Sequence, residues 1–407
     1  MGREASLMRM RIGSKQLIRE INQAIVLDTV RNLGMASRAE IASLTGLSQA
    51  TVSGITGELI ARDLLIESAI GKSAGGRRPV LLEFNASAGY VIGVKVTEAE
   101  VVAVLTDLEA TVVERERMAL ERRGVVDVVD AIEAAAIELM AKDGNRPVHG
   151  VGVGLAGVVD STRGVVAYAT YLDWRDEPIG DLLEERLGLP VTVDNDVNAL
   201  AATAQWFGAG RQVANMLVVS LGRGVGLGLV LNGQLYRGSS GGAGEFGHVK
   251  ISDDGPACDC GSNGCLEAMV SDPAIARDVS ARLGRQVEID EAIELARAGS
   301  AAAVEVFGAA AEALAVALAN LVNVLNPELV VISGEGAVAA DLLRPALDHA
   351  LAEYCFDGLG DGVEIVVEPW EDEAWARGAA SLLLGELFEP TLRLQPSRRP
   401  SLASRSA

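Results

Sequence analysis

The stretch from Gly244 to Glu267, GEFGHVKISDDGPACDCGSNGCLE, constrains the fold more than any other part of the chain. It gathers His248, Cys258, Cys260 and Cys265, with one residue between the first two cysteines and four between the last two. Three thiolates and one imidazole complete the tetrahedral sphere that zinc prefers. Protein fills all four positions, so the expected ion is structural, with no open position for chemistry. Gly261, Gly264 and the Asp-Gly-Pro of residues 254 to 256 supply the tight turns of such a knuckle. The plain alternative is a set of small buried thiols or a redox pair. The chain has only 4 cysteines and 3 histidines, however, and concentrates most of them here, which argues for a ligand set rather than a disulfide framework. The ion's task would be to fix its acidic neighbours, Glu245 and Glu267.

At 407 residues the chain is long enough to bury several cores. Its net charge of −21 argues against nucleic acid until its distribution is considered. Residues 1 to 84 carry 11 Lys and Arg against 8 Asp and Glu, and the remainder carries 24 against 48. A small basic module therefore precedes a large acidic one, and any DNA binding belongs to the first. The N-terminus is charged and lacks an apolar signal core, and no apolar run reaches about 18 residues without a charge. These features predict a cytoplasmic protein without a membrane span.

Residues 17 to 66 read as three helices. Ile21, Ile25, Val26 and Val30 recur at helical spacing, ending near Gly34. Ser37 and Glu40 form a capping box for the second helix, which Gly46 stops. Ser48 caps the third, where Val52, Ile55, Leu59 and Ile60 make one apolar stripe. The third helix presents Gln49, Ala50, Thr51 and Ser53 at its start, the arrangement of a helix-turn-helix. Strands at Leu64 to Glu67 and Val80 to Phe84 then enclose a glycine-rich loop carrying Lys72, Arg77 and Arg78. This reads as a wing whose arginines reach a narrow minor groove. Ser48, Gln49, Thr51, Ser53, Arg77 and Arg78 are thus the candidate DNA-binding residues. A bare helical hairpin with a solvated loop is the competing description.

From Ala88 onward, strands end repeatedly in glycine turns and alternate with helices. Tyr90 to Val96 and Val101 to Leu105 form a hairpin, followed by Val112 to Met118 and a helix from Val125 to Ala141. Strands at 148 to 151, 191 to 193, 216 to 220 and 330 to 333 lead into GVGLAGVVD, DNDVN, LGRGVGLGLVLNG and GEG. Such a pattern indicates an α/β fold with ligands at strand ends. The Pro, Ser and Arg-rich tail from 389 to 407 reads as disordered.

The run Gly-Glu-x-Gly-His followed by Cys-x-Cys-Gly-x-x-Gly-Cys-Leu-Glu resembles the signature of the ROK family of repressors, open reading frames and kinases. The resemblance implies a two-lobed actin-like or hexokinase-like domain over residues 87 to 388, behind a winged helix-turn-helix at 1 to 86. Repressors of the family carry such an N-terminus and its kinases lack it. The resemblance also implies that the last helix, Asp372 to Phe388, packs back on the first lobe. Asn195 and Asp196 resemble the family's Asn-Asp pair, with Asp196 facing a sugar hydroxyl. Glu245, His248 and Glu267 resemble its other hydroxyl-binding groups. Carboxylates and amides suit a polyol because their oxygens accept from hydroxyls in fixed directions; an Asx-turn or helix cap is the alternative use of Asn195 and Asp196.

Two departures stand out. Where family kinases read Asp-x-Gly-Gly-Thr, this chain has Lys95-Val96-Thr97-Glu98-Ala99, and Arg223 replaces a common threonine in the second phosphate loop. The nucleotide site is therefore expected to be lost, and Lys95 and Arg223 are left either to hold an anion or to lie as ordinary surface charge. In the segment YATYLDWRD, Tyr171 and Asp173 replace an asparagine and a glycine, so the effector need not be an ordinary hexose. The sequence predicts a dimeric, or dimer-of-dimers, DNA-binding repressor sensing a sugar or sugar derivative, with no enzymatic activity. Helices between Glu291 and Leu325 are candidates for the dimer interface. A sugar kinase with an accessory DNA-binding arm, and a regulator controlled by a protein partner, are the alternatives.

Overall fold

The computed structural model describes residues 15–70, 79–142, 147–369 and 372–388. The chain separates into two compact units, one of residues up to Ala88 together with those from Gly385, the other Gly89–Leu384. The division falls two residues beyond the boundary the sequence suggests.

The first unit begins with α1 (Lys15–Leu33), β1 (Met35–Ser37), α2 (Arg38–Thr45) and α3 (Gln49–Ala61), and continues with β2 (Leu65–Ile70) and β3 (Val80–Phe84). Its helix ends follow the sequence closely. The Ser37 hydroxyl accepts from the Glu40 amide while the Glu40 carboxylate accepts from the Ser37 amide, and Gly46 stops α2 at φ 70°. Ser48 caps α3 by accepting from the Thr51 amide. Val30, Ile41, Val52, Leu59, Leu65 and Leu82 are buried together as the core of the three helices and the sheet. The sheet has the order β1-β3-β2, all antiparallel. β1 escapes sequence reading because three residues are too few to show alternation. Arg31 is buried, its guanidinium 5.4 Å over the Phe84 ring and 4.9 Å over that of Phe388. Lys72, Arg77 and Arg78 lie outside the described residues, as does the tail from 389.

The second unit has two lobes. The first contains β4 (Tyr90–Val96), β5 (Glu100–Asp107), β6 (Val112–Ala119), α4 (Val125–Lys142) and β7 (Val148–Leu155). A small meander follows, β8 (Val158–Asp160), β9 (Val165–Ala169) and β10 (Trp174–Glu177), then α5 (Ile179–Leu187), β11 (Val191–Asn195) and α6 (Asp196–Phe207). The second lobe contains β12 (Met216–Leu221), β13 (Val225–Leu231), β14 (Gln234–Leu235), α7 (Glu267–Val270), α8 (Asp272–Leu283) and α9 (Ile289–Arg297). It ends with α10 (Ala301–Leu325), β15 (Leu329–Gly334), α11 (Ala340–Glu353) and β16 (Glu364–Pro369), after which comes α12 (Asp372–Phe388), whose residues from Gly385 count with the first unit.

The two five-stranded sheets, β11-β7-β4-β5-β6 and β14-β13-β12-β15-β16, repeat one plan. β4 pairs antiparallel with β5 and parallel with β7, and β12 pairs antiparallel with β13 and parallel with β15. This duplication is the two-lobed α/β architecture that the family resemblance implies. α12 returns to the first lobe, as expected. It does so through bare backbone, since side chains at Gly93 of β4 and Gly152 of β7 would strike the carbonyls of Ala376 and Ala379.

α10 is 25 residues long and contains an 18-residue stretch with a mean hydropathy of 1.8, long and apolar enough to cross a membrane. It is instead a core helix, with Phe307, Leu314, Leu318 and Val322 buried in the second lobe. Its apolar composition therefore reflects core packing along the face turned into the second lobe. Among its large side chains, Val304 and Val324 remain exposed.

Candidate functional site

A cleft of about 860 Å³ opens between the lobes, lined from β4, the β4–β5 turn, the ends of β11 and β12, and the segments around Glu245 and Glu267. Strand ends meet helix starts here, so the cleft receives side chains whose backbones are rigid on both sides. Carboxylates dominate it: Glu98, Asp196, Glu245, Asp259, Glu267, Asp272, Glu288 and Glu335 line it against Lys95 and Arg223.

Asn195 ends β11 and caps α6. Its amide oxygen accepts from the backbone of Val197 and Asn198, and its amide nitrogen donates to the Gly157 carbonyl at 2.9 Å. The helix-cap alternative thus accounts for the Asn195 oxygen. Its neighbour Asp196 is buried and faces the cleft, with the Lys95 ammonium 3.4 Å from its Oδ2. Behind both lies Asp194, which is fully buried. It accepts from the Asn195 amide and the Asn198 side chain at 2.8 Å each, and from Arg237 Nε at 2.6 Å. Sequence reasoning missed this pair, because nothing local links residues 43 positions apart.

The four cluster residues come together as the sequence predicts. One donor atom from each of His248, Cys258, Cys260 and Cys265 lies within 4.8 Å of the others. Cys258 Sγ is 3.6 Å from His248 Nδ1, and Cys260 Sγ is 3.7 Å from Cys265 Sγ, the crowding of donors that share one ion. Cys258 and Cys265 are buried. Burial pushes the Cys258 thiol up to about 12, so a thiolate there calls for a cation beside it. The cluster can therefore hold a metal ion. His248 turns its other nitrogen, Nε2, toward Glu245 at 3.8 Å, and Glu245 faces the cleft. Loss of water pushes the Glu245 carboxyl up; His248 draws it back, and Glu267 and Asp196 add to the rise. Glu267 is fixed by accepting from the Val225 amide at 3.0 Å.

The matching family model covers residues 91–386 and is described as the ROK family. The chain belongs to the ROK family. A xylose repressor from Caldicellulosiruptor bescii is 30% identical over 395 residues, covering 93% of this chain and 98% of its own length. Among solved structures, a ROK family transcriptional regulator described as a homolog of the E. coli MLC protein superposes with a TM-score of 0.82 at 26% identity, over 92% of this chain and 98% of that one. A ROK family glucokinase from Streptomyces griseus, in complex with glucose and AMPPNP, gives 0.63 at 30% identity, over 72% of this chain and 99% of that one.

The departures from the ROK kinase pattern have a definite geometry. Lys95 is buried, 3.6 Å over the Trp375 ring, and the Trp375 indole donates to Glu335 at 3.0 Å. Arg223 pairs with Glu98 and lies 4.5 Å over the Tyr171 ring. Lys95 is thus held inside the cleft and not on the surface, whereas Arg223, more than half exposed, is a surface charge held in an ion pair. Arg123 ties the same corner together, donating to the backbone carbonyls of Glu98 at 3.1 Å and Tyr171 at 3.3 Å. Asp173, where a glycine is usual in the family, adopts φ 58°, a left-handed conformation that Asp tolerates better than most residues. In the first unit, Gln49 and Ser53 are exposed at the start of α3, while the hydroxyls of Ser48 and Thr51 lie 2.8 Å apart within the cap.

Proposed function

We propose that the chain is a DNA-binding transcriptional repressor of carbohydrate-related genes, whose second unit binds a sugar or sugar derivative as effector. One observation carries this reading: the cleft keeps directed acceptors for a polyol at Asp196, Glu245 and Glu267, while side chains of the protein itself fill the corner where a kinase would hold phosphates. The helix-turn-helix arrangement of α2 and α3 and the full-length similarity to repressors support the DNA-binding half. Gln49 and Ser53 would meet base edges, Ser48 and Thr51 would set the start of α3, and Arg77 and Arg78 would contact the backbone or minor groove. A homodimer, or a dimer of dimers, would present two such helices to paired half-sites.

Zinc is the metal we assign to His248, Cys258, Cys260 and Cys265. Zn–S bonds of about 2.3 Å in a tetrahedron put two sulfurs about 3.8 Å apart, and a sulfur and a nitrogen about 3.6 Å apart, close to the Cys260–Cys265 and Cys258–His248 separations within a donor set that spans at most 4.8 Å. His248 and Glu267 would then bring the ion's order to the effector, with Asn195 holding the start of α6 behind Asp196.

The sugar-kinase reading draws on the likeness to the glucokinase, and turnover decides between the two. Full-length protein is incubated with ATP, Mg²⁺ and a panel of sugars, and its affinity for duplex DNA selected from a random library is followed in the same panel. Release of DNA by a sugar without ATP consumption is expected. Sugar-dependent ATP turnover that disappears in Asp196→Asn would replace the repressor reading with the kinase. Gln49→Ala should weaken specific DNA binding by about 1–3 kcal/mol and relax one position per half-site. The double Arg77→Ala, Arg78→Ala variant should weaken binding to all sequences and flatten its salt dependence. Unchanged affinity in both would remove the winged-helix assignment.

A further inference from the structure

We propose that the effector is an uncharged sugar, that the cleft rejects its phosphate esters, and that Glu98 sets this discrimination. The inference rests on the sugar reading of the cleft and narrows it. A phosphate ester needs donors or cations in excess of nearby negative charge. Among the described residues lining the cleft, Lys95 and Arg223 carry the fixed positive charges. Both are committed within the protein. The Lys95 ammonium is shared between Asp196 Oδ2 at 3.4 Å and the face of Trp375 at 3.6 Å. One end of the Arg223 guanidinium is paired with Glu98, and its face lies on Tyr171.

The pairing is robust around neutral pH, because the hydrogen bond from Arg223 holds the Glu98 carboxyl below its ordinary value. The second-lobe turn offers no compensation. Its glycines would normally let backbone amides approach an anion, but here they face carboxylates. A side chain placed on Gly222 would begin 2.6 Å from Glu335 Oε2, and one on Gly224 would begin 2.9 Å from Glu267 Oε2. A phosphate brought to this corner would meet negative oxygens where it needs donors. A neutral sugar has hydroxyls that donate to Asp196, Glu245 and Glu267, and it is not penalised by their charge.

Glu98 is the residue on which the balance turns. Its carboxylate pairs with Arg223 through one oxygen, has Arg123 at 4.0 Å from the other, and ties the β4–β5 turn of one lobe to the β12–β13 turn of the other. Glu98→Gln keeps the size of the side chain and leaves Arg223 with a charge to offer an anion.

The test is calorimetric titration of the full-length, metal-loaded protein with matched pairs: xylose and xylose 5-phosphate, glucose and glucose 6-phosphate, N-acetylglucosamine and its 6-phosphate. At least one neutral sugar should bind, with its ester at least about tenfold weaker. The same pair titrated into Glu98→Gln should show that preference reduced at least about threefold. Tighter binding of an ester than of its neutral sugar would overturn the proposal while leaving the sugar-sensing reading intact. A preference unchanged in Glu98→Gln would overturn the role of Glu98. If no member of any pair binds, this proposal and the sugar-effector reading fall together.

Discussion

The two lobes of the second unit repeat one strand order, yet their first hairpins turn by different means. In the first lobe β4 passes to β5 through Thr97, Glu98 and Ala99, where the Thr97 hydroxyl accepts from the amides of Ala99 and Glu100. A side-chain oxygen here consumes backbone donors that a glycine turn would leave pointing outward. In the second lobe β12 passes to β13 through Gly222, Arg223 and Gly224, and the glycines face Glu335 and Glu267. One turn has lost its glycines and the other has kept them for contact with carboxylates. The difference teaches that glycine in a turn of this fold marks close approach, and that the approaching group can be the protein's own acid instead of a phosphate. The cleft therefore has one end organised around the Cys and His cluster and another closed by its own charges.

The largest effect is expected at the organised end. Cys260→Ala should lose about one equivalent of zinc and several kcal/mol of stability, because ion binding and local folding are one process in such clusters. The sugar response should fall with it, since His248 and Glu267 would lose their anchoring. Metal analysis, thermal melting and sugar-induced release of DNA check this together. Full metal content with an unchanged response would show that the cluster does not organise that end.

A smaller effect should follow from Arg237→Ala, which leaves Asp194 with no ionic partner in a fully buried position. Breaking such a pair from one side costs about 3–5 kcal/mol. The lower figure applies here, because Asp194 keeps two hydrogen bonds, to the Asn195 amide and the Asn198 side chain. Urea unfolding measures the loss. A cost under about 1 kcal/mol would mean that the Arg237 pairing does not hold β11 in place behind Asn195 and Asp196.

These two sites also show what could be read from the sequence. His248, Cys258, Cys260 and Cys265 lie within one short segment, so their residue types and spacing carry the geometry with them. The caps at Ser37 and Ser48 were legible for the same reason, since a cap is settled within about four residues. Arg237 with Asp194, Arg223 with Glu98, and Lys95 on Trp375 join residues far apart in the chain, and only the folded lobes bring them together. Lys95 and Arg223 were visible as departures from a kinase pattern, but their partners were not. The exposed or buried status of α10 was equally hidden, because an Ala, Val and Leu-rich helix looks alike in a core, an interface or a membrane.

The smallest effect is expected at the closed end, and there the sign depends on pH. Asp272 begins α8 and lines the cleft with Glu335. Loss of water, and then the nearby charges of Glu335 and Asp290, push its carboxyl up from 3.8 to about 6. A carboxyl raised on folding binds its proton more tightly in the folded state, so it favours folding below about pH 4 and loses that contribution as pH rises through 6. Above pH 6 the ionised group is a cost, and Asp272→Asn should remove it. The group is partly solvated, and its charge also favours the N-terminus of α8, so the net gain should be about 1 kcal/mol or less. Melting curves of parent and variant at pH 4, 5, 6 and 7.5 should converge or cross on the acid side, with the variant more stable on the alkaline side. A variant less stable by the same amount at every pH would show that Asp272 acts through its place in the first turn of α8 and not as one of several crowded negative charges. The electrostatic half of the contrast between the two ends would then lose its support at this position.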